Sequence, residues 1–341
     1  MPSPRYDVLA IGNAIVDIIA RSEEDFLLRE KLTKGSMRLI DAAEAERLYA
    51  RMGPAIEVSG GSAGNTAVGV ASFGGRAAFT GKVANDTLGE LYRHDMTASG
   101  VHFSSQALDS DQPTARSLIL ITPDGERTMN TYLGACQMLA PDDIDADTVA
   151  AAFVTYFEGY LWDPPQAKEA FRRAAAIAHD AGRLVSLTLS DPFCVDRYRS
   201  EFVELIRDRT IDILFANDSE LRSLCETADL NTAISTLQAD CRLAVVTLGP
   251  EGALVIGPDG VEKVAATPVD TVVDTTGAGD LFAAGFLFGL ARDLPLREAA
   301  RLGTIAAAEV ISHIGARPAV SLADLARQAG YDLWSNSSKS A

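Results

Sequence analysis

Near its C-terminal end the chain reads Asp274-Thr275-Thr276-Gly277-Ala278-Gly279-Asp280-Leu281-Phe282. Three small residues let backbone N–H groups come close to a ligand. The apolar pattern that follows, over 281–292, predicts a helix. The first N–H groups of a helix lack intrahelical partners, and its dipole favours negative charge there. Gly277, Ala278 and Gly279 therefore make a candidate anion hole. A carboxylate beside it would repel a phosphate, so Asp280 needs a reason. Two fit. It caps the helix, or it is a base that takes a proton from an attacking hydroxyl while the amides hold a transferring phosphoryl group.

Other residues invite the same weighing. Gly60-Gly61-Ser62-Ala63-Gly64-Asn65 precedes a helical pattern over 66–73. No Lys follows in the P-loop spacing. A polar-substrate site built on backbone N–H groups and the Asn65 amide is preferred to a simple packing turn. Asp17 interrupts the apolar run Ile15-Val16-Asp17-Ile18-Ile19. An acid there is costly without partners. A ligand with two adjacent hydroxyls would suit it, and a strand-end Asp facing water is the plainer reading. Asn217-Asp218-Ser219-Glu220 reads as a helix cap or as a cluster ordering a hydrated Mg²⁺. Thr247-Leu248-Gly249-Pro250-Glu251-Gly252 is a hairpin turn or a triphosphate contact. Arg127 is a solvated surface residue or reaches a phosphate.

These residues need elements to position them. Apolar runs at 8–12 and 14–21 read as strands, as does 77–83, with a helix over 87–99. Strand-like runs at 115–122 and 127–132 flank Pro123-Asp124-Gly125-Glu126, a hairpin signal. The second half alternates strands (153–157, 184–189, 213–215, 243–247, 253–256) with helices (165–181, 201–207, 220–225, 281–292, 296–312). The fold class is α/β: a mostly parallel central sheet with helices on both faces. Ligands of such sheets sit at the carboxyl ends of strands. Asn13 and Asp17, Asn217 and Glu220, Thr247 and Gly249 all follow strand-like runs.

Composition sets the outer bounds. The chain has 341 residues, 47% hydrophobic and 23% charged, with 30 Lys plus Arg against 47 Asp plus Glu, a formal charge of −17. That argues against nucleic acid or an anionic membrane as partner. No leader pattern opens the chain and no apolar run reaches spanning length. The four cysteines and four histidines are scattered, which suggests reduced thiols, no zinc site and a cytoplasmic location. The tail 335–341 is expected to fray.

Together these residues resemble the ribokinase-like carbohydrate and nucleoside kinases, the PfkB family. Asp274 to Asp280 matches its C-terminal signature, Gly60 to Asn65 its paired-glycine element, and Asn217-Asp218-Ser219-Glu220 its Asn-x-x-Glu motif. The likeness runs from about residue 8 to about residue 318. Within the family the chain looks most like the adenosine kinases. Gly12-Asn13-Ala14-Ile15-Val16-Asp17, Arg127 ahead of Leu133-Gly134-Ala135, and Leu187-Thr188-Leu189-Ser190-Asp191-Pro192 carry that likeness. Many sugar kinases have Lys where this chain has Ser62.

The resemblance implies one ribokinase-like domain over 1–341, with a discontinuous β lid from about 13–40 and 105–135. It implies ATP and Mg²⁺, with transfer to the 5′-hydroxyl of a nucleoside. A sugar or sugar-acid kinase, of the ribose, fructose or 2-keto-3-deoxygluconate class, is the alternative, and a silent nucleoside-binding regulator a third. By position, Asp280 would be the base and Gly277, Ala278 and Gly279 the anion hole. Asn13, Asp17, Gly60, Gly61, Ser62 and Asn65 would bind substrate. Met37, Met129, Leu133 and Tyr160 would enclose a purine, or be plain core. Arg127, Asn217, Glu220, Thr247, Gly249 and Gly252 would line the ATP site, with Glu220 acting on Mg²⁺ through water. Asp274 and Thr276 would lie near a monovalent cation such as K⁺. A monomer or homodimer is expected.

Overall fold

Strands of the expected apolar runs pair into two sheets. The computed structural model describes residues 3–333, so the tail 335–341 lies outside the described residues. In chain order the strands are β1 (Tyr6–Ile11), β2 (Ile15–Arg21), β3 (Met37–Leu39), β4 (Ala55–Ser59), β5 (Ala77–Thr80), β6 (His102–Phe103), β7 (Ala115–Ile121), β8 (Arg127–Tyr132), β9 (Ala152–Glu158), β10 (Leu184–Thr188), β11 (Ile213–Asn217), β12 (Leu243–Thr247), β13 (Ala253–Gly257) and β14 (Gly260–Val264). Nine form a sheet in the order β14-β13-β12-β11-β10-β9-β1-β5-β6, and five form a smaller sheet, β3-β8-β7-β2-β4.

The large sheet is parallel from β12 to β6, with β13 and β14 added antiparallel at one edge. Every residue of β1 is buried, as a central strand covered on both faces requires. Val8 and Ala10 join one apolar cluster; Tyr6, Leu9 and Ile11 join the other. The two faces carry different helices. Ser62–Ser72 and Ala278–Leu290 pack on the first, and Pro165–Asp180 and Pro192–Arg207 on the second.

From β1 the chain works outward to β5 and β6; from β9 it works the other way to β12. The order reverses between β1 and β9, which are direct neighbours. The crevice beyond the carboxyl ends of strands at such a reversal is where ligands of open α/β sheets bind.

Helix Ala278–Leu290 is apolar all round, with Leu281, Phe282, Phe286, Leu287 and Phe288 buried. Burying each such side chain contributes roughly 1.5–3 kcal/mol. The helix lies between Leu296–Val310 and Ser62–Ser72, with its Leu281 and Ala284 set close against Gly69. Two helix N-termini, one starting after Gly277 and one after Gly61, are thereby held side by side.

Several elements go beyond the expected ones. Helix Pro192–Arg207 starts nine residues before the expected 201, at an Asp191 cap followed by Pro. Helices Glu24–Arg29, Ala42–Tyr49, Leu230–Asp240 and Leu322–Gln328 and strands β3, β4, β6 and β14 were not anticipated. β4 falls outside the ranges 13–40 and 105–135 and pairs antiparallel with β2.

Candidate active site

Two glycines bring the helix Ser62–Ser72 to the end of β1. A side chain on Gly60 would run into the Asp17 carboxylate. Gly61 has φ +84°, and a Cβ there would strike the Asn13 carbonyl. Only glycine meets both demands at 61. Glu158, at the carboxyl end of β9, locks this junction. Its Oε1 accepts from the Asn13 backbone N–H (2.9 Å) and side-chain Nδ2 (2.7 Å), and its Oε2 from the Ala63 N–H (2.8 Å). Burial pushes Glu158 up to about 7, against those hydrogen bonds. Asn13 and Glu158 thus meet at the reversal point of the sheet.

Gly277 is the N-cap of helix Ala278–Leu290, with φ +79° and no side-chain cap. A Cβ there would lie 2.8 Å from the Ala316 backbone. The Ala278 N–H bonds Thr275 (3.2 Å), and Leu281 opens the ladder on Gly277 (2.9 Å). Among the described residues, the N–H groups of Gly277, Gly279 and Asp280 meet no protein acceptor. They are the donors an anion hole needs.

Asp280 does not cap its helix. Its Oδ1 accepts from Ser62 Oγ at 2.6 Å and its Oδ2 from Asn65 Nδ2 at 3.0 Å. Thr66 Oγ1 adds a bond to its carbonyl at 3.1 Å. Burial raises the Asp280 carboxyl above the usual range, while Ser62, Asn65 and the Arg317 charge pull it back. Asp17 is different. Among the described residues its carboxylate has no hydrogen-bond partner, and burial pushes it up to about 7, eased by Arg317 and Arg127 and worsened by Asp280.

The strand-pairing register identifies what shares a face with Asp17. Asp17 stands opposite Val58 and Ser117, and Ser117 opposite Thr131. Two residues along, and so on the same face, Ile19 stands opposite Ile56 and Ile119, Ile119 opposite Met129, and Met129 opposite Met37. Met37 and Ile56 are among the exposed large apolar side chains. Leu133 follows β8 and accepts from the Cys136 N–H and thiol. Tyr160 sits elsewhere, in the turn after β9, its hydroxyl 3.4 Å from the Ser190 carbonyl. Burial raises the Tyr160 hydroxyl above its usual value, with Asp191, Asp280 and Glu158 adding to the effect.

Asn217 and Thr247 are paired neighbours at the ends of β11 and β12. Asn217 and Glu220 form a reciprocal capping box. Asn217 Oδ1 accepts from Glu220 N (2.8 Å), while Glu220 Oε2 and Oε1 accept from Asn217 N (2.9 Å) and Nδ2 (2.6 Å). Burial pushes Glu220 up to about 7, with Asp191 and Asp280 adding to it. Gly249, φ +57°, has open space where a Cβ would go, whereas Gly252 packs on the end of β14. Arg127 pairs with Asp274. Asp274 also accepts from Thr276 N (3.0 Å), Thr276 Oγ1 (2.7 Å) and Gly315 N (2.9 Å). Both of its oxygens are engaged by protein, which braces the loop before Gly277.

A model of the pfkB family of carbohydrate kinases matches residues 7–322. The chain belongs to that family. Among solved pfkB-like structures, adenosine kinase from Sinorhizobium meliloti is 60% identical, with a TM-score of 0.89 over 95% of this chain and 99% of its own. A probable sugar kinase protein from Rhizobium etli CFN 42 is 55% identical, with a TM-score of 0.90 over 96% and 99%. Among curated proteins, the adenosine kinase of Saccharomyces cerevisiae is 27% identical over 331 residues, 90% of this chain and 95% of the yeast protein. This pfkB chain is a phosphotransferase with an alcohol group as acceptor.

Glu158 and Arg317 are the site residues that sequence reasoning missed. Glu158 directly follows the expected strand 153–157, the same signal that singled out Asn13. Arg317 Nε donates to Asn65 Oδ1 at 3.2 Å, so both ends of the Asn65 amide are engaged by protein. Asn65 was expected to bind a ligand; in this structure its amide lies between Asp280 and Arg317. Two cavities open elsewhere, one beside Asp196, Leu224 and Asp240 and one beside Pro268, Ile305 and His313. Neither is lined by Asp17 or Asp280, so convergence of polar groups, not volume, marks the site.

Proposed function

We propose that this kinase transfers the γ-phosphoryl group of ATP to the 5′-hydroxyl of a nucleoside, adenosine being the acceptor the site fits best. The observation that carries the acceptor is the face bearing Asp17. A carboxylate without a protein partner suits the paired hydroxyls of a ribose. The row beside it (Ile19, Ile119, Met129, Met37) offers apolar surface for a base ring. A free sugar has no use for such a row. The 60% identity to the Sinorhizobium adenosine kinase supports the same reading.

Asp280 accepts the proton of the attacking hydroxyl. Ser62 and Asn65 hold its two oxygens, so the carboxylate is oriented before substrate arrives. The amides of Gly277, Gly279 and Asp280 face the charge that builds on the transferring group. Asn217 and Thr247, with Gly249, line the path of the nucleotide. Mg²⁺ would neutralise phosphate charge. Glu220, both oxygens engaged by Asn217, fits it through water rather than as a direct ligand. The smaller sheet acts as the lid over the acceptor. Arg127 ties it to the anion-hole loop through Asp274, where a K⁺ would also act. We place the enzyme in the cytoplasm as a monomer or homodimer.

The likeness to a probable sugar kinase keeps a sugar or sugar-acid acceptor as second reading. The test is turnover with ATP and Mg²⁺ on a panel of nucleosides, ribose, fructose and 2-keto-3-deoxygluconate, scored by ADP release. Adenosine should exceed every free sugar in kcat/KM by about 100-fold or more, the discrimination expected when a built pocket goes unfilled. A sugar at the head of the panel would overturn the acceptor. Tight binding with no turnover would make the chain a regulator instead.

A further inference from the structure

Arg317 has no part in the chemistry above, yet it reaches into the site. It follows helix Leu296–Val310 and passes beneath the start of helix Ser62–Ser72. Its Nε donates to Asn65 Oδ1 at 3.2 Å and its Nη2 lies 3.4 Å from Met96 Sδ. Asn65 Nδ2 donates to Asp280 Oδ2 at 3.0 Å. A guanidinium only donates and a carboxylate only accepts. With Arg317 on one side and Asp280 on the other, the amide has one allowed orientation. Turned over, it would set an NH₂ against the guanidinium and an oxygen lone pair against the carboxylate.

The charges point the same way. Asp280 is flanked by Asp17 on β2, Glu158 and Tyr156 on β9, Tyr160 in the following turn and Glu220 in the first turn of the helix after β11. Arg317 supplies the opposite sign to it. Arg317 itself faces Tyr92 and Asp95 on helix Thr87–Ala98 as well as Asp17 and Asp280. Arg317 is the cation that acts on Asp280, against acids on three sides.

We propose that Arg317 is a positioning residue for phosphoryl transfer: through the Asn65 amide it fixes the orientation of the Asp280 carboxylate and balances its charge. The proposal rests on Asp280 being the base. It separates Arg317 from the acceptor contacts, which lie on the face bearing Asp17.

Steady-state kinetics of wild type, Arg317→Gln and Arg317→Lys, from about pH 5.5 to about pH 9, test it on whichever acceptor wild type turns over. Arg317→Gln should lower kcat about 30-fold with KM for the acceptor within about threefold, since only orientation and proton transfer are harmed. The acid limb of its kcat/KM profile should move up by about one pH unit, because a nearby positive charge favours the ionised base. The displacement should persist in an Asp17→Asn background, which removes Asp17 as its source. Arg317→Lys should keep the wild-type limb while losing about fivefold in kcat, because an ammonium lacks the planar fork. If Arg317→Gln does not fold, Arg317→Lys decides alone: an undisplaced limb with lowered kcat supports the proposal, and an unchanged kcat overturns it. Arg317→Gln with unchanged kcat and limb overturns it too. A raised KM at full kcat would make Arg317 a substrate contact instead. A wild type with no turnover on any acceptor would sink the base assignment itself, a failure distinct from these.

Discussion

Asp280 and Asp17 approach the same site from two regions of the molecule built on different terms. Asp280 stands on a thirteen-residue apolar helix wedged between two others. Both of its oxygens are held, by Ser62 and by Asn65. Asp17 stands on β2 of the five-stranded sheet, whose strands β3 and β4 expose Met37 and Ile56, and among the described residues its carboxylate has no hydrogen-bond partner. A group that must transfer a proton gains from being held still. A group that must grip a ligand has to be left with unused hydrogen-bonding capacity. Both acids carry raised carboxyls through burial. The protein relieves one with its own donors; on the proposed reading the other is left to the substrate.

The sharpest way to break this contrast is at Asp280. Asp280→Asn keeps the shape and the contact with Ser62 but cannot accept the substrate proton. It should lower kcat by about 1,000-fold, within the range general-base loss produces, and leave both KM values within about threefold. Turnover assays with a thermal melt as folding control check this. A near-normal kcat would reduce Asp280 to a structural anchor.

Asp17 should fail in the opposite manner. Charge-assisted hydrogen bonds are worth about 1.5–3 kcal/mol, so Asp17→Ala should raise KM for the nucleoside by about 10- to 100-fold. KM for ATP should stay within about threefold, since the proposed role gives the carboxylate contact with the acceptor alone. Parallel titrations of both substrates measure it. Equal rises in the two would mean that Asp17 supports the whole site rather than the ribose.

The same contrast explains what the sequence disclosed. Residues 274–280 were legible because their signal is local: a turn, a helix start and an acid in one stretch. The paired glycines and Asp17 were legible because each breaks a pattern within a few residues. The parallel sheet followed from alternation, apolar strand after amphipathic helix. What stayed hidden depends on distance. Glu158 matters because it bonds Asn13, 145 positions away, and Arg317 because it meets Asn65 at a separation of 252. Neither residue type nor spacing reports such a pairing. β4 was missed because Ala-Ile-Glu-Val-Ser is only five residues long and gains its place by pairing with β2. Helix Ala42–Tyr49 could have been found, since Asp41 caps it through the Glu44 N–H at 2.7 Å, a signal carried by adjacent residues.

The smallest expected effect is on stability, and it isolates the cost of leaving Asp17 unpartnered. In the folded protein its carboxyl rises from 3.8 to about 7. The folded state therefore holds the Asp17 proton more tightly than the unfolded chain does. Protonation stabilises the fold at low pH, and that contribution is lost as pH climbs from 3.8 through about 7. Asp17→Asn removes the ionisation and keeps the shape. It should melt roughly 2–4 °C above wild type at about pH 8, with the gain fading toward about pH 4. Glu158 and Glu220 titrate in the same window but are common to both proteins, so the difference cancels them. Melting curves of the two proteins across this range give the answer without any substrate. A gain independent of pH would mean that Asp17 disturbs packing rather than carrying an unmet charge. No gain at all would mean that water already serves it, and the two acids would then differ less than their partners suggest.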